Sequence, residues 1–91
     1  MKFEWDEAKR QTNITKHGID FVDLPPLFDS LTVLEVDDRF DYGETRFITL
    51  GMLNGIVFQV VHTETNETIR LISARKASKY EEEYYFQEIA N

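Results

Sequence analysis

Asn54-Gly55 lies between two apolar, β-rich runs, and no other feature limits the folds open to this chain as much. Asparagine and glycine tolerate the positive φ angles of a two-residue turn. The flanking runs, Glu44 to Leu50 (stopped by Gly51) and Ile56 to Thr63, are therefore predicted to form an antiparallel hairpin. Two further strand signals flank it. Leu31 to Val36 leads into a polar connection built from Asp37, Asp38 and Asp41-Tyr42-Gly43. Glu64 to Asn66 turn the chain into a fourth run, Glu67 to Ala74. Ile56 to Thr63 is the most apolar of the four, which predicts a central position buried on both faces. Short loops between successive strands imply antiparallel neighbours.

Helical signals lie on either side. Asp6 can accept hydrogen bonds from the free N–H groups of a first turn, Lys16-His17 suit the negative end of a helix dipole, and Gly18 can end the helix in left-handed geometry. The first helix is predicted from Asp6 to His17, with a thin apolar face of Trp5, Ala8 and Ile14. Lys2-Phe3-Glu4-Trp5 alternates and is a candidate short strand. Asp20 is a cap for a second helix burying Phe21, Val22, Leu24, Leu27 and Phe28. Pro25 and Pro26 lack N–H donors and clash with a preceding turn, so that helix is expected to be short or kinked, with 3₁₀ character. Ser78-Lys79-Tyr80-Glu81 matches a capping box and opens a last helix running to about Ile89, with Tyr84, Tyr85, Phe86 and Ile89 as its apolar surface. The expected architecture is α+β: a small antiparallel four-stranded sheet, an optional short N-terminal strand, two N-terminal helices and one C-terminal helix.

Ninety-one residues make one domain, 1–91. The absence of cysteine excludes disulfides, thiolate metal sites and a catalytic thiol. No apolar run approaches the ~20 residues of a membrane span, and Met1 to Trp5 carry no signal-peptide core, so a cytoplasmic protein is expected. Seventeen acidic residues against ten basic give a net charge of −7, which argues against a general nucleic-acid binder. The charge is uneven. Asp20, Asp23, Asp29, Glu35, Asp37, Asp38, Asp41 and Glu44 face a single base, Arg39, in that stretch, whereas Arg70, Arg75, Lys76 and Lys79 form a run without an acid.

No phosphate-binding glycine loop, His-rich metal spacing or nucleophile elbow occurs, and His17 with His62 does not make a metal site. Neither a cofactor nor a metal is expected. Arg70 alternates with Ile69 and Leu71, and Arg75 stands at the strand end. Such a pair can hold a phosphate bidentately, although salt bridges to carboxylates are the ordinary fate of surface arginines. His17 has a structural use at a helix end, while an imidazole also exchanges protons near neutrality. Trp5, Phe40 and Tyr42 lie at element ends where an exposed ring can stack on a base, core packing being the default for each.

The ordered set Phe3-Glu4-Trp5-Asp6-Glu7-Ala8-Lys9, Asn13, Lys16-His17-Gly18-Ile19, Phe21, Phe28-Asp29, Asp38-Arg39, Gly43-Glu44-x-Arg46, Val60 to Glu64, Ile69 to Ala77, Glu81 and Tyr84 resembles the BrnT family of type II toxins across nearly the whole chain. The resemblance implies a fold similar to RelE and ParE toxins. It implies a metal-independent endoribonuclease that inhibits translation and is neutralised by a BrnA-type antitoxin. That antitoxin, not this chain, would contact DNA. RNA is the implied substrate, with ribosome association one route to it, and no membrane is involved. By motif position Arg70 and Arg75 would clamp phosphate. Lys9, Lys16 and His17 would supply charge or move protons. Glu44 and Glu81 would act as bases or hold an arginine. Trp5, Arg46 and Lys76 would bind RNA. The rival reading is a catalytically inactive protein whose acidic face captures a basic partner.

Overall fold

The N-terminal strand converts an antiparallel sheet into a mixed one. In the computed structural model, which describes residues 1–91, β1 (Lys2–Trp5) runs parallel to β5 (Thr68–Lys76), with Glu4 opposite Arg70 and Trp5 opposite Leu71. β2 (Thr32–Asp37), β3 (Arg46–Leu53), β4 (Ile56–Thr65) and β5 form an antiparallel meander. The order β1-β5-β4-β3-β2 puts β4 in the centre, as its apolar sequence predicts. The expectation of a four-stranded antiparallel sheet is thus corrected to five strands with one parallel pair. At the β3–β4 turn Asn54 and Gly55 adopt φ of 53° and 79°, the geometry that dipeptide favours.

The first helix, α1 (Glu7–His17), begins and ends where its caps dictate. The Asp6 carboxylate accepts the Lys9 N–H at 3.0 Å, and Gly18, at φ 69°, donates its N–H to Ile14. The second predicted N-terminal helix is not an α-helix. Two 3₁₀ turns, Phe21–Asp23 and Pro25–Asp29, stand in its place. Two adjacent prolines remove two donors from any i→i−4 ladder, and the chain falls back on i→i+3 bonds. These turns bury Phe21, Leu24 and Leu27 but leave Val22 exposed. The last helix, α2 (Lys79–Ile89), opens with the predicted capping box between Ser78 and Glu81.

Each face of the sheet has its own apolar cluster. The 3₁₀ turns cover one face, packing Phe21, Leu24 and Leu27 on Val60, Ile69, Leu71 and Ala74. Contact there is close: a Cβ on Gly51 would lie 2.6 Å from a Leu27 methyl, so only glycine fits under that leucine. α2 covers one end of the other face, packing Tyr85 against Leu50 and Val57. The rest of that second face stays open.

α1 fills a different role. β1 pairs only as far as Leu71, so the second half of β5 is a bare sheet edge. Asn13, the one buried residue of α1, closes it. Its side-chain oxygen accepts the Ala74 N–H at 2.9 Å, and its amide donates to the Ile19 carbonyl at 2.9 Å. An asparagine side chain here replaces a neighbouring strand.

Candidate active site

A β-bulge decides which side chains share the open face. Thr63 pairs with Arg70 and His62 with Leu71, but Val61 pairs with Ser73, which leaves Ile72 as an extra residue in β5. Strict alternation would send Arg70 and Arg75 to opposite faces. The bulge resets the alternation, so Arg70, Ser73 and Arg75 stand opposite Thr63, Val61 and Gln59, all on the face that α2 partly covers.

Arg75 is held by α2. Its two terminal nitrogens donate to the two Glu81 oxygens at 2.8 and 2.9 Å, and Gln59 donates to the same carboxylate at 3.2 Å. Glu81 also accepts the Ser78 N–H, so the capping box and the arginine share one carboxylate. Burial pushes the Glu81 carboxyl up, but the hydrogen bonds from Arg75 and Ser78 and the arginine's charge outweigh it, and the net shift is downward. Glu81 is therefore ionised at neutral pH and fixes the guanidinium plane.

Arg70 belongs to a second cluster. Glu44 accepts from Arg70 at 2.6 Å and from Arg46 at 3.0 Å, and Arg46 stacks 4.0 Å above the Tyr42 ring. Hydrogen bonding from Arg46, reinforced by Arg70, holds the Glu44 carboxyl below its ordinary value.

All five arginines are paired with carboxylates: Arg10 with Glu7 and Asp20, Arg39 with Asp37, Arg46 and Arg70 with Glu44, Arg75 with Glu81. The cationic run seen in the sequence is thus neutralised at its arginines by acids from elsewhere in the chain. The lysines make no ion pair. Lys9, Lys16 and His17 are exposed on α1 and line, with Thr12, Asn13 and Ser73, a shallow cavity of about 370 Å³ at the β5 edge. Ser73 lies two residues from Arg75 on the same face, so the free cations of α1 flank the strand that carries Arg75.

Two predicted site residues lie elsewhere. Trp5 stands opposite Leu71, on the face of the 3₁₀ turns, where its half-buried ring packs edge-on against Phe21. It therefore serves the core and is not presented to the open face. Lys76 pairs with Phe58 and points away from Arg75. His62 is fully buried between Phe28 and Phe47, its Nε2 2.7 Å from the Thr49 hydroxyl, and burial lowers its pKa.

Several residues to which the sequence reading gives no site role complete the site. Asn13 anchors α1, Gln59 steadies Glu81, and Ser73 joins the two groups of cations. Beside Arg75, between the sheet and α2, a cavity of about 320 Å³ has walls of Val33, Ile48, Leu50, Tyr80 and Tyr84 with Glu35, Gln59 and Glu81. The Tyr84 hydroxyl donates to Glu35 at 2.6 Å, which pushes its pKa up to about 12. No sequence period marks this cavity, because its walls come from three strands and a helix.

A family model described as "Ribonuclease toxin, BrnT, of type II toxin-antitoxin system" matches residues 5–81. The chain is similar to the 1.1 Å crystal structure of the Brucella abortus ribonuclease toxin BrnT, with 40% sequence identity and a TM-score of 0.67. That match covers 87% of this chain and 99% of the other. No curated protein sequence gives a significant match.

Proposed function

The chain belongs to the BrnT ribonuclease toxins of type II toxin–antitoxin systems, and from that membership we propose a metal-independent endoribonuclease whose scissile phosphate sits over Ser73, between Arg75 and the cations of α1. The observation that carries this reading is the bulge at Ile72. It sets Arg70, Ser73 and Arg75 on one open face, with Lys9, Lys16 and His17 at its edge.

In this mechanism a base takes the ribose 2′-OH proton, the 2′ oxygen bonds to phosphorus, the bond to the 5′ oxygen breaks, and an acid protonates that oxygen. The products are a 2′,3′-cyclic phosphate and a 5′-hydroxyl. Negative charge grows on the non-bridging oxygens, and Arg75 with Lys9 and Lys16 stabilises it. Glu81 presents the guanidinium fork and is a positioning residue. His17 is the proton-transfer group, since it is exposed beside the lysines. Arg70 and Arg46, linked through Glu44, hold a neighbouring backbone phosphate once RNA competes for them. A BrnA-type antitoxin neutralises the protein, and the ribosome offers docking surface that an anionic body does not.

Purified protein is to be incubated with end-labelled RNA in excess EDTA, with and without ribosomes. The expected result is cleavage leaving 5′-hydroxyl ends, lost in a folded Arg75→Ala variant. Intact RNA in both conditions, or cleavage that needs added divalent metal, overturns the proposal. Induction in cells, alone and with the adjacent antitoxin gene, is expected to arrest growth only in the first case.

A further inference from the structure

The cavity beside Arg75 is unlike a phosphate site. Two of its lining residues, Glu35 and Glu81, are carboxylates, and its floor is apolar, from Val33, Ile48 and Leu50. A phosphate is repelled from such a place, whereas a flat neutral ring with hydrogen-bond donors at its edge is suited to it. Tyr84 and Tyr80 supply aromatic wall for stacking.

The donor and acceptor inventory narrows the ring further. Glu81 is filled by Arg75, Ser78 and Gln59. Glu81 accepts only, so Gln59 must turn its amide nitrogen toward it, and the Gln59 carbonyl oxygen is left without a partner. Glu35 accepts from Tyr84 through one oxygen, and its second oxygen is free. The unpartnered oxygens of Glu35 and Gln59 are therefore acceptors, carried by β2 and β4 on either side of β3, while the Tyr80 and Ser78 hydroxyls on the α2 side can still donate, as to a ring carbonyl.

We propose that this cavity is a nucleobase subsite selecting guanine, with Glu35 as the residue that reads it. The proposal rests on the ribonuclease reading above. Guanine alone presents two adjacent donors, N1–H and N2–H, on its pairing edge. Adenine and cytosine each set a ring-nitrogen acceptor beside their amino group, and uracil has one donor between two carbonyls. A carboxylate facing those edges meets a lone pair. Arg75 stands opposite Gln59 in the adjacent strand, about 4.8 Å away, so a base seated here brings its own phosphate to the guanidinium.

Binding and cleavage separate this proposal from the reading beneath it. The four nucleoside 3′-monophosphates, which cannot be cut, are titrated against the labelled protein, following the Gln59 side-chain amide by NMR. The guanosine compound is expected to bind most tightly, and Glu35→Gln to reduce its advantage about 10- to 150-fold, the worth of hydrogen bonding to a charged acceptor. Sequencing of cleavage products is expected to place guanine at one fixed position beside the cut, with that preference flattened in Glu35→Gln. A protein that binds the guanosine compound yet leaves RNA intact supports the subsite and refutes the ribonuclease reading. Equal binding of all four, tighter binding of another base, no perturbation at Gln59, or RNA cleavage without a guanine preference overturns the subsite. Glu35→Gln preserves shape at an exposed strand position, and its melting temperature checks that a lost preference is not lost folding.

Discussion

Arg70 and Arg75 project from the same face of β5 although they lie five positions apart. An unbroken strand would point them apart, and the extra residue, Ile72, is what aligns them. Each is then met by a different carboxylate, Glu44 for Arg70 and Glu81 for Arg75.

The two arginines are expected to fail differently. On the proposed mechanism Arg75→Ala removes the guanidinium from the reacting phosphate and should lower kcat about 10²–10³-fold, the usual cost of losing one charge-stabilising donor. Arg75→Lys should recover little, because an ammonium cannot reproduce the fork. Arg70→Ala should raise KM with kcat nearly unchanged. Steady-state kinetics on a short RNA separate these outcomes.

Glu81→Gln tests the positioning role. It keeps a side chain that can hydrogen-bond yet loses the ion pair with Arg75. Activity should fall at least tenfold while the melting temperature drops by only a few degrees, since a weakened cap costs about 1 kcal/mol. A loss of activity fully explained by unfolding would count against it.

Asn13→Ala should be among the most damaging substitutions on α1, although asparagine is not a core residue by type. It strands the Ala74 N–H and the Ile19 carbonyl, at about 1–3 kcal/mol for a buried group without a partner. Thermal denaturation should show a fall of roughly 10–20 °C.

Gly51→Ala should destabilise by about 1–3 kcal/mol, because the new methyl would drive into Leu27. Ser or Val at this position should be worse still. Urea unfolding gives the values directly.

His62 and Asp37 are two of the groups whose titration shapes stability against pH, and their signs agree. Burial depresses the pKa of His62, so the unfolded chain takes up its proton first. Stability from this residue is complete above the unfolded value of ~6.5 and is lost as pH falls below it. Asp37, held at about 2 by Arg39, contributes above the unfolded value of ~3.9 and loses that contribution as pH falls toward 2. Melting temperatures should decline from pH 7.5 to 5.5, and His62→Gln, which can still meet Thr49, should flatten that decline. An unchanged slope in the variant would reject the assignment.

What the sequence makes legible is local. Asp6 with Gly18, Ser78 with Glu81, and Asn54 with Gly55 each act within a few residues, and the structure has all three where the residues dictate. Pro25-Pro26 signals a departure from α-helix without fixing its form, because proline forbids one ladder and does not select another. The site is less legible, being non-local. Glu44 lies 26 residues from Arg70, and Asn13 lies 61 from Ala74. The bulge's one mark in the sequence is the adjacent apolar pair Leu71-Ile72, which breaks the alternation of β5 and shifts its polar positions from Arg70 to Ser73 and Arg75. Trp5 reads in the sequence as a stacking candidate both by its place at an element end and by motif position, and its place opposite Leu71 is set by a parallel pairing that sequence order does not announce.

Because β1 and α1 are completed only by β5, the groups that would act on RNA stay apart until the chain is nearly all made. Lys9 and His17 are synthesised early, whereas Ser73, Arg75 and Glu81 follow more than fifty positions later. A partly translated or prematurely ended chain therefore carries only half of the proposed site. On the proposed mechanism, RNA cleavage waits for the finished fold.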